Sequence, residues 1–120
     1  MAKEITNTLG KIDIAEDVIA TVAGIAATEC YGLVGMASRK LMKDGIAELL
    51  RRENIRKGVE VIIQNEEVTI NLYIIVGYGI KISEVAASVM EKVKYAVEST
   101  VGIQVNRVNV YVQGVRVNNV

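Results

Sequence analysis

Residues 59–64 and 68–76 are two runs rich in β-branched residues, the second largely alternating apolar with polar, and the polar triplet Asn65-Glu66-Glu67 separates them. A period of two sends successive side chains to opposite faces, so the pair predicts a β-hairpin. If Val68, Ile70, Leu72, Ile74 and Val76 turn to the core, then Thr69, Asn71, Tyr73 and Ile75 turn away from it. The period lengthens over residues 83–100, where Val85, Val89, Val93, Ala96 and Val97 share one helical face and Gly102 stands at the expected end. A last strand is predicted over residues 104–117. Its valines shift parity, odd at Val105, even at Val108, Val110 and Val112, odd again at Val115 and Val117. A strand can do this only with bulges, expected near Asn106-Arg107 and Gln113-Gly114. Asn109, Tyr111 and Gln113 then join the outward face of the hairpin.

The first half is less regular. Residues 9–14 read as a short strand, with Ile12 and Ile14 alternating with Lys11 and Asp13. Residues 15–29 predict a helix with Val18, Val22, Ile25 and Ala26 on its apolar face, a capping-box spacing at Asp13 and Glu16, and a stop at Gly32. Residues 31–37 carry too much glycine for a helix and read as an irregular extended connection. A second, more basic helix is expected over residues 43–53, with Ile46, Leu49 and Leu50 inward, broken by Gly58. The resulting order, β-α-(loop)-α-β-β-α-β, predicts an α+β fold: a single two-layer domain over residues 1–120, a mixed β-sheet with helices packed on one face.

Composition supports this picture. With 120 residues and 51% hydrophobic content the chain can build one core and is too short for two ordinary domains. Nineteen Val and fifteen Ile stand in for the absent Phe and Trp, which favours sheet. The lone Cys30 cannot form an internal disulfide, which fits a reducing compartment, and the cytoplasm is the expected location. The N-terminus has no apolar signal core and no segment reaches the ~20 residues that span a bilayer, so membrane contact is expected only through a partner.

Chemistry is sparse. A chain without His and with one Cys lacks the usual acid–base, nucleophile and metal-ligand groups, so no catalytic residue, cofactor or metal is assigned. Cys30 reads as a small hydrophobe at the end of a helix face, and Gly77 and Gly79 around Tyr78 read as a turn, since their spacing fits neither phosphate-loop fingerprint. Two surfaces remain. One is basic: Arg39, Lys40, Lys43, Arg51, Arg52, Arg56 and Lys57, against Asp44, Glu48 and Glu53, give residues 39–57 a net charge of +4 in a chain whose total is zero. It could meet an acidic protein surface, a phosphate-bearing ligand or RNA, although such a run is more commonly a solvated helix. RNA usually asks for aromatics beside the charge, and the five Tyr look scattered. The other surface is the outward sheet face, Thr69, Asn71, Tyr73, Asn109, Tyr111 and Gln113, which suits protein contact or plain solvation.

Several segments resemble the alkaline shock protein family, also called the Asp/Gls envelope stress response family. They are Gly10-Lys11-Ile12-Asp13-Ile14-Ala15, Tyr31-Gly32-Leu33-Val34-Gly35-Met36, Asp44-Gly45-Ile46-Ala47-Glu48-Leu49-Leu50, Lys57-Gly58-Val59, Tyr78-Gly79, Val108-Asn109-Val110 and Val112-Gln113-Gly114-Val115. The likeness spans nearly the whole chain and is strongest to small members. It departs at Ser99-Thr100-Val101-Gly102-Ile103, where many relatives carry Thr-Gly-Leu, and in lacking a long charged tail. The resemblance implies a small cytoplasmic protein of Gram-positive bacteria, without catalytic residues, tied to cell-envelope stress or homeostasis. It also implies self-association into a homo-oligomer and a protein partner such as a dihydroxyacetone-kinase-like component of fatty-acid phosphorylation. Two other functions stay open on the residues alone: a sensor of an acyl or phosphate ligand that regulates a kinase, and an RNA-binding module.

Overall fold

The computed structural model describes residues 2–39 and 49–117, with Arg52 and Glu53 described by backbone only. Strand β1 (Ala2–Asn7) and strand β2 (Gly10–Ala15) form an antiparallel hairpin. Helix α1 (Glu16–Thr28) leads to strand β3 (Leu33–Met36). A kinked 3₁₀ segment, Arg52–Gly58, precedes β4 (Val59–Gln64) and β5 (Glu67–Gly77). Helix α2 (Ile82–Thr100) and strand β6 (Arg107–Arg116) complete the chain.

The four strands β3 to β6 make one mixed sheet in which β5 is the centre. On one side it pairs antiparallel with β4 over its first half and with β3 over its second; on the other it pairs parallel with β6. A parallel neighbour needs a crossover, and α2 supplies it. Both helices lie on one face, where Ile70, Leu72, Ile74 and Val76 of β5 meet Ile19, Ala23 and Ala27 of α1 and Val85, Val89, Val93 and Val97 of α2. The α+β architecture expected from the sequence is present. So is the α2 stripe: its four valines are 0–7% exposed, and each full burial stabilises by about 1.5–2 kcal/mol.

The β4–β5 hairpin is tighter than three linking residues imply. Gln64 pairs with Glu67, leaving Asn65 and Glu66 as a two-residue turn with φ 52° and 66°, the left-handed pair of a type I′ turn. Of the two bulges expected in β6, one is found: Val112 pairs with Ile74 and Gly114 with Ile75, so Gln113 is the extra residue. The other parity change falls outside the strand. Asn106 is tied to Val68 twice, its N–H donating to the Val68 carbonyl (2.9 Å) and its Oδ1 accepting from the Val68 N–H (2.8 Å). Val105 is buried in the loop before β6, so its parity owes nothing to the pleat.

Other expectations are corrected. The single strand over residues 9–14 is the second arm of a hairpin whose first arm, with Lys3, Glu4 and Thr6 among its six residues, is too polar to announce itself. Helix α1 turns Ile19, Ala20, Ala23, Gly24, Ala26 and Ala27 inward, while Val18 and Ile25 are 49% and 42% exposed. Small residues face in because the 3₁₀ segment crosses close by, and a Cβ on Gly24 would collide with Ile55 Cγ2. No capping box forms: Ala15 is the N-cap and no side chain caps it. Residues 31–37 are not irregular throughout, since β3 lies within them. The helix expected over residues 43–53 lies mostly outside the described residues; within them, Leu49 forms a β-bridge with Ala37 and Leu50 N–H donates to the Met36 carbonyl (2.8 Å), so this stretch is extended.

Candidate functional site

The sheet face turned away from the helices is built in rungs. Register sets Asn71 beside Asn109 and Tyr73 beside Tyr111, and the antiparallel hairpin sets Glu60 opposite Asn71. Asn109 Nδ2 donates to Asn71 Oδ1 (2.9 Å), and Asn71 Nδ2 donates to Glu60 Oε1 (3.0 Å). The Tyr73 phenol lies close enough to the same carboxylate to feel its charge. An amide chain therefore crosses β6, β5 and β4 and ends on one acid. Beside it the rings of Tyr73 and Tyr111 stack, with centroids 5.0 Å apart and planes 14° from parallel, an offset geometry worth about 0.5–1.5 kcal/mol beyond area burial. Asn71 is 8% exposed, and its amide is satisfied by both neighbours. Burial pushes the Tyr73 phenol above its usual value near 10.0; the Glu60 charge adds to that, while Arg39 opposes it.

Of the face residues predicted from the pattern, Thr69, Asn71, Tyr73, Asn109 and Tyr111 lie together as expected, with Gln113 at the bulge. Ile75 is the exception. It shares the face but is 1% exposed, packed with Ala37 and Tyr73. Glu60 was missed by sequence reasoning. The hairpin register, counted back from the turn, places it directly against Asn71, and that count is the signal that finds it.

The basic residues gather less completely. Lys40 and Lys43 lie outside the described residues, as does the Arg52 side chain. Arg51 is exposed. Arg39 and Lys57 line a recess of about 480 Å³ with Ser38, Glu60 and Tyr73. A neighbouring hollow adds Arg56, Glu16 and Asp17, and there Arg56 Nε approaches Asp17 Oδ2 at 3.9 Å. The basic rim and the sheet face thus meet at Glu60 and Tyr73. Two tyrosines that looked scattered in the chain are also adjacent.

A second cleft, of about 550 Å³, lies where the C-terminal end of α1 meets the start of α2. Ile80, Val85 and Cys30 give it an apolar floor, and Lys81 and Lys92 stand at its sides, each within ion-pair reach of a glutamate, Glu84 at 3.9 Å and Glu29 at 3.6 Å. Cys30 is half-buried, its Sγ 3.8 Å from the Ala26 carbonyl. Desolvation holds its thiol above the ordinary range, which Lys92 only partly offsets. That keeps the sulfur protonated and a poor nucleophile. Nothing in the sequence signals this cleft, because its walls come from segments about fifty residues apart. Gly77 and Gly79 form a turn: Gly77 N–H donates to the Gly32 carbonyl (3.0 Å), and Gly79 sits at φ 96°. Among the described residues no group of acids and cysteine is placed to hold a metal ion.

Fold and surface define a small α+β domain that presents a polar, tyrosine-bearing sheet face bordered by cations. The chain belongs to the alkaline shock protein 23 family, described as having a cell envelope-related function, whose model matches residues 4–117. It is 56% identical over 119 residues to the uncharacterized protein YloU of Bacillus subtilis, covering 99% of both chains. It is 44% identical over 117 residues to the uncharacterized protein Spy1614 of Streptococcus pyogenes, covering 98% of this chain and 97% of that one. To the uncharacterized protein YqhY of Bacillus subtilis it is 35% identical over 108 residues, 90% and 78% of the two chains. No solved structure matches. Among the described residues no helix is long and apolar enough to cross a membrane.

Proposed function

We propose that this chain is a non-catalytic docking module whose outer sheet face and basic rim together bind a protein partner in cell-envelope stress or homeostasis. The observation that carries the reading is continuity. Arg39 and Lys57 share a recess with Tyr73 and Glu60, and from there the amide chain and the tyrosine stack run across to β6. Such a patch, aromatic in the middle and charged at the rim, has the composition of a protein interface. Family resemblance supports a cytoplasmic location, self-association, membrane contact only through a partner, and a dihydroxyacetone-kinase-like fatty-acid kinase component as the first partner to try.

The test is capture from cytoplasmic extract, and directly with that kinase-like protein, by wild type and by the Arg39→Glu, Lys57→Glu double variant. The wild type should retain a partner that the double variant loses. An unchanged partner set would remove the rim from the interface.

One observation favours a second reading, a sensor of acyl or phosphate ligands. The Cys30 cleft combines an apolar floor with two lysines, a pairing that suits a fatty acid or acyl phosphate. Thermal stabilisation rising with fatty-acid concentration supports it, and a flat response removes it.

A further inference from the structure

Among the described residues strand β6 pairs with β5 alone, so its other side is an open edge. The pairing of β5 fixes where the free backbone groups of β6 point. On the β3 side the Tyr73 carbonyl accepts from Ala37 N–H, and Gly77 N–H donates to the Gly32 carbonyl. On the β6 side the Val68 carbonyl accepts from Asn106 N–H, and Tyr78 N–H donates to the Arg116 carbonyl. Odd residues of β5 thus serve β3 and β4, and even ones serve β6. In a parallel pair each of these even residues bonds the two neighbours of its register partner. Ile70, opposite Val108, takes Arg107 and Asn109; Leu72, opposite Val110, takes Asn109 and Tyr111. The N–H and C=O of Val108 and Val110 are therefore directed away from β5, on the stretch ahead of the bulge at Gln113.

Apolar side chains border these free groups. Val108 and Val110 pack at the rim of the core and stay partly exposed. Above them, α1 packs over β3 and β4 and α2 over β6. The residues that α2 turns toward α1 include Lys81, Glu84, Ser88 and Lys92, a wall of the Cys30 cleft. The row Ile82, Ala86 and Met90 therefore runs on the flank above the β6 edge, and Ile82 and Met90 are 39% and 40% exposed. An apolar shelf thus accompanies an unpaired ladder. Arg107 and Arg116 bracket it, with eight uncharged residues between them. Both arginines are exposed, and among the described residues neither enters an ion pair. Natural edges are usually blunted by inward charges, proline or shortness, and these eight residues carry no charge and no proline.

We infer that β6 receives an extended segment of the protein partner as an added strand, apolar at alternate positions and carrying a carboxylate at each end. The ladder asks for an extended backbone, the shelf beneath α2 takes every second side chain, and the arginines take the terminal acids. The remaining side chains of the segment lie beside Tyr111, so the added strand prolongs the docking face. The inference rests on the docking reading for the partner's being a protein, and names the form in which that partner is held.

A display library of random peptides of ten residues, the length of β6, panned on the full chain, tests it. Enriched peptides should alternate apolar with other residues and carry Asp or Glu at both ends. Anisotropy of the leading peptide should show binding weakened roughly tenfold by Val110→Pro, because proline there removes an outward N–H and leaves the bonds to β5 in place. Should that variant fail to fold, Met90→Glu decides: it sets a carboxylate on the wall of the shelf and should weaken the same peptide by a similar factor. Exchange of the Val108 and Val110 amides should slow on binding. Absence of enrichment, enriched peptides with helical spacing, unslowed exchange, or a folded variant that binds as the wild type does overturns the inference. A free chain of twice 13.1 kDa that Val110→Pro returns to 13.1 kDa means that a second copy takes the edge, and overturns it as well. If no peptide binds while partner capture still needs Arg39 and Lys57, strand addition falls and the docking reading stands. Peptide binding beside capture indifferent to those two residues gives the reverse.

Discussion

Tyr73 is where the polar chemistry of the sheet face converges. Burial, together with the charge of the Glu60 carboxylate, keeps its hydroxyl protonated to a higher pH than a free phenol. The sign of the linkage follows. A phenol whose folded pKa lies above its unfolded value binds its proton more tightly in the native state, so its contribution is complete below about pH 10 and is lost as pH rises through the folded value. Wild type should therefore lose stability to urea more steeply above pH 10 than Tyr73→Phe, whose curve should flatten there. Equal slopes would mean that the phenol titrates as it does in the unfolded chain. Asn71 is under the opposite pressure, since a buried amide tolerates no loss of partners. Glu60→Ala leaves its Nδ2 without the carboxylate and should cost roughly 1–3 kcal/mol, read as a lowered urea midpoint at constant slope.

The elements differ in how strongly local rules fix them. The β4–β5 turn asks both of its residues for left-handed φ, which Asn accepts readily and Glu does not. Glu66→Gly should accordingly stabilise the chain by up to about 1 kcal/mol in thermal or urea unfolding, the relief of strain being partly offset by the looser unfolded chain. A loss of stability would show that Glu66 makes a contact outweighing its backbone cost. Elements of this kind were legible in advance. The hairpin, the valine stripe of α2, the helix stop at Gly102 and the bulge at Gln113 all follow from period and turn chemistry. Helix α1 was misread because its inward face, Ile19 apart, is made of alanines and a glycine, so an apolar count favours the wrong side; the nearness of Ile55 to Gly24 accounts for the small residues there. Strand β1 is polar and owes its place to β2. Strand β3 hid behind glycines at positions 32 and 35, and pairing with β5 shapes it more than propensity does. At the site, the face residues were readable from alternation, whereas the meeting of Arg39 and Lys57 with Glu60 and Tyr73 depends on how β3 and the 3₁₀ segment run past β4, which no periodicity encodes.

Taken whole, the molecule separates two kinds of surface. The rim carries charge that solvent ions can screen, whereas residues 108–115 of β6 carry none. Raising salt from low to about half molar should therefore weaken partner capture by the rim more than it weakens peptide binding along β6. Equal loss would mean that Arg107 and Arg116, not the ladder between them, hold the peptide. The same order of elements bears on synthesis. Because β6 lies parallel to β5 and is reached only through α2, one whole side of the central strand stays uncovered until residues 107–116 have been made. For that interval the nascent polypeptide exposes Ile70, Leu72 and Ile74 beside an unfilled ladder, a sticky intermediate in which crowded ribosomes on one message invite mispairing. Slow codons just upstream of β6 should then lower the yield of correctly folded protein more than slow codons placed within the first hairpin.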